Sequence, residues 1–413
     1  MLKVVRWASA QRVTGGHVRP ELQDVVDEVS ALLARPVTLE DRNFNLVAFC
    51  AHGRQIDDVR QQSILQRRST ADVRAWFEQF GIATVDHPIR TPGSPEDGVL
   101  PRVCLPARWK DVTYGYLWLI DEDHSIDEAG LPAAMVLAER AGGLMAQQAR
   151  AREDLGFKLQ DLLSTDRETV DAAANAVDEL GIVRRGTPVA AVELRLAQSG
   201  LTTPVAMNLW TLPRSVLTLP GHDHITMLVP LHEDESGARE IAHRAWELYA
   251  ERLDEADREH LVAGIGSPRS DLAQARASWQ EARLATRVVE SVEALRPVAA
   301  WSELGVYRLL ACGSESALAG AVLDEPVRRL LGHRDPDLRE TAVVYLDHGG
   351  NVQQTAAALN VHRQTVYHRL GRIEQLTGLD LSRGDQRLLL HLGLTMAPLL
   401  TGAWSDPTRP GGT

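Results

Sequence analysis

Cysteine is scarce in this chain of 413 residues, which contains only Cys50, Cys104 and Cys312. They are odd in number and far apart, so neither a disulfide framework nor zinc-ligand spacing follows. We predict three small buried apolar side chains, with a redox-sensing thiol as the alternative. No apolar run approaches the length of a membrane span, and the N-terminus lacks the apolar core of a signal peptide. These absences predict a cytoplasmic protein.

Positive charge is also in short supply. The chain has 44 Lys and Arg against 56 Asp and Glu, a formal net charge of −12. This balance argues against general coating of nucleic acid and against attachment to anionic membranes, although it allows one locally basic helix. With 44% hydrophobic and 24% charged residues, a chain of this length predicts a globular protein of two to four domains.

Motifs for catalysis and metal binding are missing as well. No glycine-rich loop is followed by Lys-Ser or Lys-Thr, and no Ser/His/Asp or paired-carboxylate set stands at an assignable spacing. The segment 220–224, PGHDH, places His222 and His224 on one side of a strand, as two zinc ligands would be, with His232 nearby. A third ligand at diagnostic spacing is absent, so we predict a polar hairpin turn, without metal, cofactor or catalytic residues.

The most informative segment that is present spans residues 351–378, NVQQTAAALNVHRQTVYHRLGRIEQLTG, and has the pattern of a helix-turn-helix. Asn351 is a suitable N-cap for the first helix. Asn360 stands in the turn, where a residue that tolerates positive φ is needed. The second helix is predicted from about His362 to Leu376 and is closed by Gly378.

Two faces are expected on this second helix. Val366, Leu370, Ile373 and Leu376 follow a 4-3-3 spacing that predicts one buried stripe. No acidic residue stands between Val361 and Arg372, and the outward side chains are of the types that contact bases and phosphates. We therefore predict DNA contacts from His362, Arg363, Gln364, Thr365, Tyr367, His368, Arg369 and Arg372. The alternative is a solvated helix in a bundle that binds another protein.

The run LRETAVVYLDHGGNVQQTAAALNVHRQTVYHRLGRIEQLTGLDL, which starts at Leu338, resembles the C-terminal domain of PucR/CdaR-type bacterial transcriptional regulators. One departure is Gln364, where that family usually has Asn. The resemblance implies a regulator that binds a double-stranded DNA operator and responds to a small molecule or another signal, and it supplies no effector.

Residues 20–126 show an order of helix, strands, helices and strands, followed by a further helix. Helices are predicted from Pro20 to Leu33, from Asp57 to Arg68 and from Ala71 to Phe80, and RTPGSPEDG is predicted as a loop. This pattern is similar to that of a GAF- or PAS-like sensor domain, which implies binding of a small molecule. The alternative is a unit that only packs or forms a dimer.

Residues 127–163 lack strand signals and predict one long helix or two helices end to end. Near-heptad spacing, interrupted at Arg152 and Gly156, involves Leu131, Met135, Ala138, Met145, Ala149, Leu159 and Leu163. This indicates a dimerising signalling helix or, equally, a helix packed on its own chain.

Residues 187–292 alternate strands and helices, which predicts an α/β layer fold. This region resembles the degenerate GGDEF-like domain found in the middle of PucR/CdaR-type regulators. An active cyclase of that type needs a glycine-rich acidic hairpin to hold magnesium and phosphate. The turn at 220–224 has one Gly and one Asp, so we predict no enzyme activity. A nucleotide-processing enzyme is the rival interpretation.

Together these patterns predict a multi-domain α+β protein. Its parts are a tail (1–19), a GAF/PAS-like sensor (20–126), a connecting helix (127–163), a GGDEF-like α/β domain (187–292), an all-α helix-turn-helix domain (300–397) and a disordered tail (398–413). The second helix of a helix-turn-helix is the one that contacts the DNA bases, and a single such helix binds DNA weakly. We therefore expect a homodimer or a larger even assembly.

Overall fold

The chain is described from a computed structural model. It covers residues 20–50, 57, 59–61, 64, 69, 71–94, 98–197, 212–231, 236–251 and 253–400. Both predicted tails, except 398–400, and most of the helix predicted at 57–68 lie outside these residues. The architecture is mixed α and β, with two five-stranded sheets followed by a helical region. None of the described helices combines the length and the apolar character that crossing a bilayer requires.

The N-terminal unit is built on an antiparallel sheet of strand order β2-β1-β5-β4-β3. The short edge strand β3 includes Arg90 and Thr91, the first two residues of the segment predicted as a loop, so that prediction is corrected at its start. The elements are α1 (Pro20–Leu33), β1 (Val37–Asp41), β2 (Leu46–Phe49), α2 (Ala71–Glu78), β3 (Ile89–Thr91), β4 (Arg102–Trp109) and β5 (Val112–Ile120).

The two faces of this sheet carry different cores. One face packs apolar strand residues such as Leu105 and Leu117 against α1 and the helix that follows the sheet. The opposite face carries aromatic side chains, with Trp118 centred 4.5 Å from Phe77 and Tyr116 centred 5.3 Å from Phe44. The alternation of the strands produces this division, because successive side chains point to opposite faces.

A single helix of 32 residues, α3 (Leu131–Leu162), follows the sheet, so the region predicted as one or two helices is continuous. Ala138 and Met145 are buried against the N-terminal sheet, and Leu159 is buried in the middle unit. Gly142 lies directly against the backbone of Arg108, where a side chain would not fit. The face with these residues therefore packs on its own chain.

The middle unit has a sheet of order β10-β9-β6-β8-β7, in which only β10 and β9 are parallel neighbours. The predicted alternation is confirmed, and α4, α6 and β10 are additional elements. The elements are α4 (Arg167–Glu179), β6 (Val189–Leu196), β7 (Leu217–Pro220), β8 (His224–Pro230), α5 (Ser236–Ala250), α6 (Glu255–Arg258), β9 (Leu261–Ile265), α7 (Ala275–Ser291) and β10 (Val298–Ala300).

The C-terminal region contains short helices whose core is continuous with one face of α7. Val288 and Val289 of α7 belong to the same apolar cluster as Leu346, Val366 and Leu400. The burial of Leu400 extends this region past the predicted boundary at 397. The helices are α8 (Glu315–Val322), α9 (Glu325–Leu331), α10 (Pro336–Asp347), α11 (Val352–Ala358), α12 (Arg363–Thr377) and α13 (Gly384–Met396).

The cysteines do not share one environment. Cys104 is fully buried, and burial raises the pKa of its thiol well above the usual value. Cys50 is half-buried, and its sulfur accepts a hydrogen bond from the backbone N of Val37 at 3.0 Å. Cys312 is exposed. The prediction of three buried thiols is therefore wrong at Cys312, because it follows a short surface helix at 305–311.

Candidate nucleic-acid interface

The first helix of the motif, α11, begins at a side-chain cap. The Oδ1 atom of Asn351 accepts hydrogen bonds from the backbone N atoms of Gln353 and Gln354, at 3.0 and 3.1 Å. A helix start leaves its first amides without partners in the helix, and this carboxamide provides for two of them. The predicted cap at Asn351 is confirmed.

Two glycines redirect the chain from α10 into this cap. Gly349 and Gly350 have φ of 62° and 85°, in the left-handed region that favours glycine. A Cβ atom at Gly350 would also lie 2.5 Å from Nη1 of Arg387 and 3.2 Å from the Tyr345 hydroxyl. A larger residue at 350 would therefore be both strained and in contact with the helices beneath it.

The turn between α11 and α12 closes through backbone hydrogen bonds. Asn360 has a φ of 53°, as predicted for the turn, and the backbone N of Val361 donates to the Ala356 carbonyl at 3.0 Å. Thr355 is fully buried beneath the turn, where its hydroxyl donates to the Asn351 carbonyl at 2.8 Å. The angle between the two helices is thus set by short-range contacts.

The second helix, α12, begins one residue later than predicted, because His362 serves as its N-cap. The His362 Nδ1 atom accepts from the backbone N of Gln364 at 3.3 Å. At the other end, Gly378 adopts the left-handed conformation with a φ of 74° and donates to the Glu374 carbonyl at 2.8 Å. Local interactions therefore cap both ends of α12.

The predicted buried stripe of α12 is confirmed. Val366 and Ile373 are fully buried and Leu370 is 8% exposed, while Leu376 is partly buried. These residues pack α12 against α9, α10 and α11. Burial of three branched apolar side chains anchors the helix and determines which side faces solvent.

The outward face contains the side chains predicted to contact DNA. His362, Arg363, Gln364, Thr365, Tyr367, His368 and Arg372 are exposed, and Arg369 is partly buried. The aromatic ring of Tyr367 stands out, with 57% of the residue exposed. In the described part of the chain, the Arg363, Gln364 and Tyr367 side chains make no hydrogen bond or ion pair.

Two arginines of this helix pair with carboxylates at the start of α10. Arg369 is 18% exposed in its side chain, forms an ion pair with Asp337 and donates to the Thr341 hydroxyl at 3.2 Å. Nη1 of Arg372 lies 3.2 Å from a carboxylate oxygen of Asp335. These partners were not anticipated from the sequence, because they lie more than thirty residues upstream.

The hairpin turn of the middle unit is a second place with polar side chains. Its Asp223 carboxylate lies 2.9 Å from Nδ1 of His224 and 3.1 Å from Nε of Arg195. The hydrogen bond from His224, aided by Arg195, holds the pKa of Asp223 below its usual value. The His224 ring also lies directly against Gly221. Among the described residues no cluster of three metal-ligating side chains occurs, and His232 is outside them.

Buried charges occur on the aromatic face of the N-terminal sheet. Glu40 is 4% exposed, and burial raises its pKa to about 7 against the opposing attraction of Arg102. Arg60 donates to the Trp118 carbonyl at 2.7 Å, and Arg102 pairs with Asp57 at 2.5 Å. Two guanidinium groups and the carboxyl groups of Glu40 and Asp57 are therefore buried together on this sheet face.

Two models of protein families match the chain. The model described as the PucR C-terminal helix-turn-helix domain matches residues 338–396, which contain α11 and α12. The model described as the GGDEF-like domain matches residues 165–288, which contain α4 and most of the second sheet.

Curated relatives match over most of the chain. The DNA-binding transcriptional activator AdeR of Bacillus subtilis (strain 168) is 25% identical over 91% of this chain and 92% of its own length. The carbohydrate diacid regulator of Escherichia coli (strain K12) is 26% identical over 72% of this chain and 80% of its own length. The proline-responsive transcriptional activator PutR of Bacillus subtilis (strain 168) is 21% identical, over 91% and 96% respectively.

Proposed function

Because the chain belongs to the PucR/CdaR family of transcriptional regulators, we propose that it regulates transcription by placing α12 in the major groove of an operator. The observation that carries this proposal is the exposed, acid-free surface at the start of α12. Arg363 and Gln364 can each bind a base edge through two hydrogen bonds. In helix-turn-helix proteins the N-terminal residues of the second helix meet base edges, and here these residues are exposed.

The remaining outward residues are assigned to the DNA backbone or to positioning. Thr365, Tyr367 and His368 are exposed, and their side chains are of the types that bind phosphate and sugar. Arg369 and Arg372 are attached to α10 through their carboxylate partners. We assign Arg369 mainly to positioning of α12, and Arg372, whose side chain is 46% exposed, to exchange between Asp335 and a phosphate.

The N-terminal unit is proposed to be a GAF/PAS-like sensor for a small metabolite. Support comes from its antiparallel sheet, which is covered by helices on one face and by a second, aromatic core on the other. Two relatives are named for responses to proline and to carbohydrate diacids, which makes a small metabolite the natural effector class. A unit that only packs or forms a dimer is the competing assignment.

For the middle unit we propose a structural role, without cyclase activity. The turn at 220–224 would have to approach a phosphate and hold magnesium through carboxylates. Its one carboxylate, Asp223, is engaged by Arg195 and His224, and the His224 ring fills the space beside Gly221. This arrangement leaves the turn without the open backbone that a phosphate site requires.

We propose that the protein acts as a homodimer or a larger even assembly, because regulation requires a higher affinity than one helix-turn-helix provides. For non-specific DNA binding by one helix-turn-helix we expect a dissociation constant of about 10⁻⁴–10⁻⁶ M. Specific regulation requires a dissociation constant of about 10⁻⁸ M or lower. Two reading helices about 34 Å apart would bind half-sites one helical turn apart. The protein would act on DNA in the cytoplasm, and we expect footprints with two protected half-sites.

The test uses the purified full chain and DNA fragments from the neighbourhood of its own gene. Electrophoretic mobility shifts over a salt series should give saturable binding that weakens steeply with salt. Gln364→Ala should reduce affinity about 5- to 150-fold, the range for one bidentate base contact. Gln375→Ala is the matched control, because Gln375 is an exposed glutamine in the last turns of the same helix. Salt-insensitive binding, or equal losses in both variants, would contradict the proposal.

A further inference from the structure

A cleft of about 440 Å³ lies where the N-terminal unit, α3 and the middle unit meet. Its walls come from the turn after β1, from Tyr114 of β5, from one stretch of α3 and from the edge strand β7. At its base α3 approaches β7 so closely that a Cβ atom on Gly156 would lie 3.1 Å from the Thr218 carbonyl. The volume lies within the range of small-molecule sites, which occur preferentially between domains.

Most of the cleft surface is apolar. Met145, Ala149, Phe157 and Leu219 form this lining. Phe157 is a large aromatic residue, yet 58% of its area is exposed. Binding of an apolar molecule in a cleft of this kind is favourable, because apolar surface of both partners is removed from water.

The cleft lining includes two arginines, Arg42 and Arg152, and two carboxylates, Asp41 and Glu153. Arg42 and Glu153 are exposed. Arg152 is partly buried, and burial lowers the pKa of its guanidinium to about 10. The nearby Asp41 carboxylate is already engaged in its own turn, where it accepts from the backbone N atoms of Asn43 and Asn45 at 2.8 and 2.9 Å. A guanidinium has five N–H donors, so Arg152 can bind an additional anionic group alongside its existing interactions.

We propose that this cleft binds a small molecule with an apolar body of about ring size and a single acidic group, with the acidic group on Arg152 and the body against Ala149, Phe157 and Leu219. The claim that this molecule binds is argued from the cleft alone. The claim that it affects DNA binding rests on the proposed function. Because the ligand would contact both units and α3, it would favour one arrangement of them over others, which is the requirement for a ligand to shift a conformational equilibrium.

The test uses the full chain and two fluorescent probes. The first, 8-anilinonaphthalene-1-sulfonate, has an apolar body and one anionic group, and N-phenyl-1-naphthylamine is its uncharged counterpart. We expect saturable binding of the first probe at one site per chain. Arg152→Gln should weaken the sulfonate probe about tenfold and leave the neutral probe within about twofold, because only the charge-assisted contact is lost.

A second pair of variants localises the site. Ala149→Trp would fill the cleft and should abolish binding of both probes. Ala151→Trp is the matched control, since both alanines are exposed on the same helix and Ala151 is not part of the lining. Unchanged probe binding in Ala149→Trp, or equal effects of Arg152→Gln on both probes, would overturn the proposal. A third result would also overturn the proposal: the wild-type protein binds neither probe, and Ala149→Trp changes the oligomeric state. The cleft would then be a subunit interface.

A separate arm measures DNA affinity with and without the sulfonate probe. A change in wild-type affinity that is absent in Ala149→Trp would support coupling between the cleft and the reading helix. Absence of DNA binding by the wild-type protein would contradict the proposed function while leaving the probe result standing, so the two failures are distinguishable.

Discussion

Replacing Arg363 and Arg369 in turn by Ala should separate DNA contact from helix positioning on one face of α12. Arg363 is exposed and makes no hydrogen bond or ion pair with the described residues. Its removal should leave stability within about 0.5 kcal/mol. Loss of a base or phosphate contact should then lower operator affinity by about 1–3 kcal/mol, or about 5- to 150-fold.

For Arg369 the expectation is different. Arg369→Ala removes an ion pair with the half-exposed Asp337, which is worth about 0–1 kcal/mol after solvent screening. It also removes a hydrogen bond to the buried Thr341 hydroxyl, worth about 0.5–1.5 kcal/mol. Together these losses should destabilise the attachment of α12 to α10 by about 0.5–2.5 kcal/mol. Operator affinity should fall as a consequence of this loosening.

Hydrogen exchange of the α12 amides in the full chain, measured beside operator affinity, checks both expectations. Exchange should accelerate about 2- to 70-fold in Arg369→Ala and remain unchanged in Arg363→Ala. Asp337→Asn is the control, since it weakens the ion pair and keeps the arginine. If Arg369→Ala abolishes DNA binding without faster exchange, and Asp337→Asn strengthens DNA binding, Arg369 is a direct DNA contact and our assignment is wrong.

Three further predictions concern stability. Asn351→Ala should destabilise α11 by about 0.5–2 kcal/mol through loss of the cap, and Asn351→Asp should not, as measured by hydrogen exchange of the first-turn amides. Leu370→Ala should cost about 2–5 kcal/mol, measured by exchange of the α12 amides, and should abolish DNA binding through loss of the local fold. Glu40→Gln should stabilise the protein more at pH 8 than at pH 5, which thermal melts at both pH values would measure.

The sign at Glu40 follows from its raised pKa of about 7. Between the usual glutamate pKa of 4.5 and pH 7, the folded state holds a proton that the unfolded state releases. The stabilisation from this group is therefore complete below about pH 4.5 and is lost as pH rises through 7. The full difference is ~3 kcal/mol. A constant difference in stability between wild type and Glu40→Gln across this pH range would contradict the raised pKa.

The other two predictions have their own contrary outcomes. Unchanged hydrogen exchange of the α12 amides in Leu370→Ala would contradict the burial of Leu370. Equal hydrogen exchange in Asn351→Ala and Asn351→Asp would contradict the capping role of Asn351.

The sequence by itself determined the reading motif. The cap at Asn351, the positive φ at Asn360, the stop at Gly378 and the buried positions of α12 were all predicted and are confirmed. Each of these features depends on residues within about one helical turn, so the local sequence contains the physical information needed. The alternation of strands and helices in the middle unit could be predicted for the same reason, because it depends on the local spacing of apolar residues.

Tertiary structure alone decided which partners these elements have. The strands β3 and β10 have three residues each and exist through pairing with β4 and β9, so their own sequences carry too little pattern to reveal them. Arg369 belongs to an acid-free segment, yet its environment is set by Asp337 on another helix. The cleft beside Arg152 likewise joins four segments that lie between Asp41 and Pro220 in the sequence. Contacts of this kind arise only when the chain folds back on itself, because the residues that meet there have no fixed spacing along the sequence.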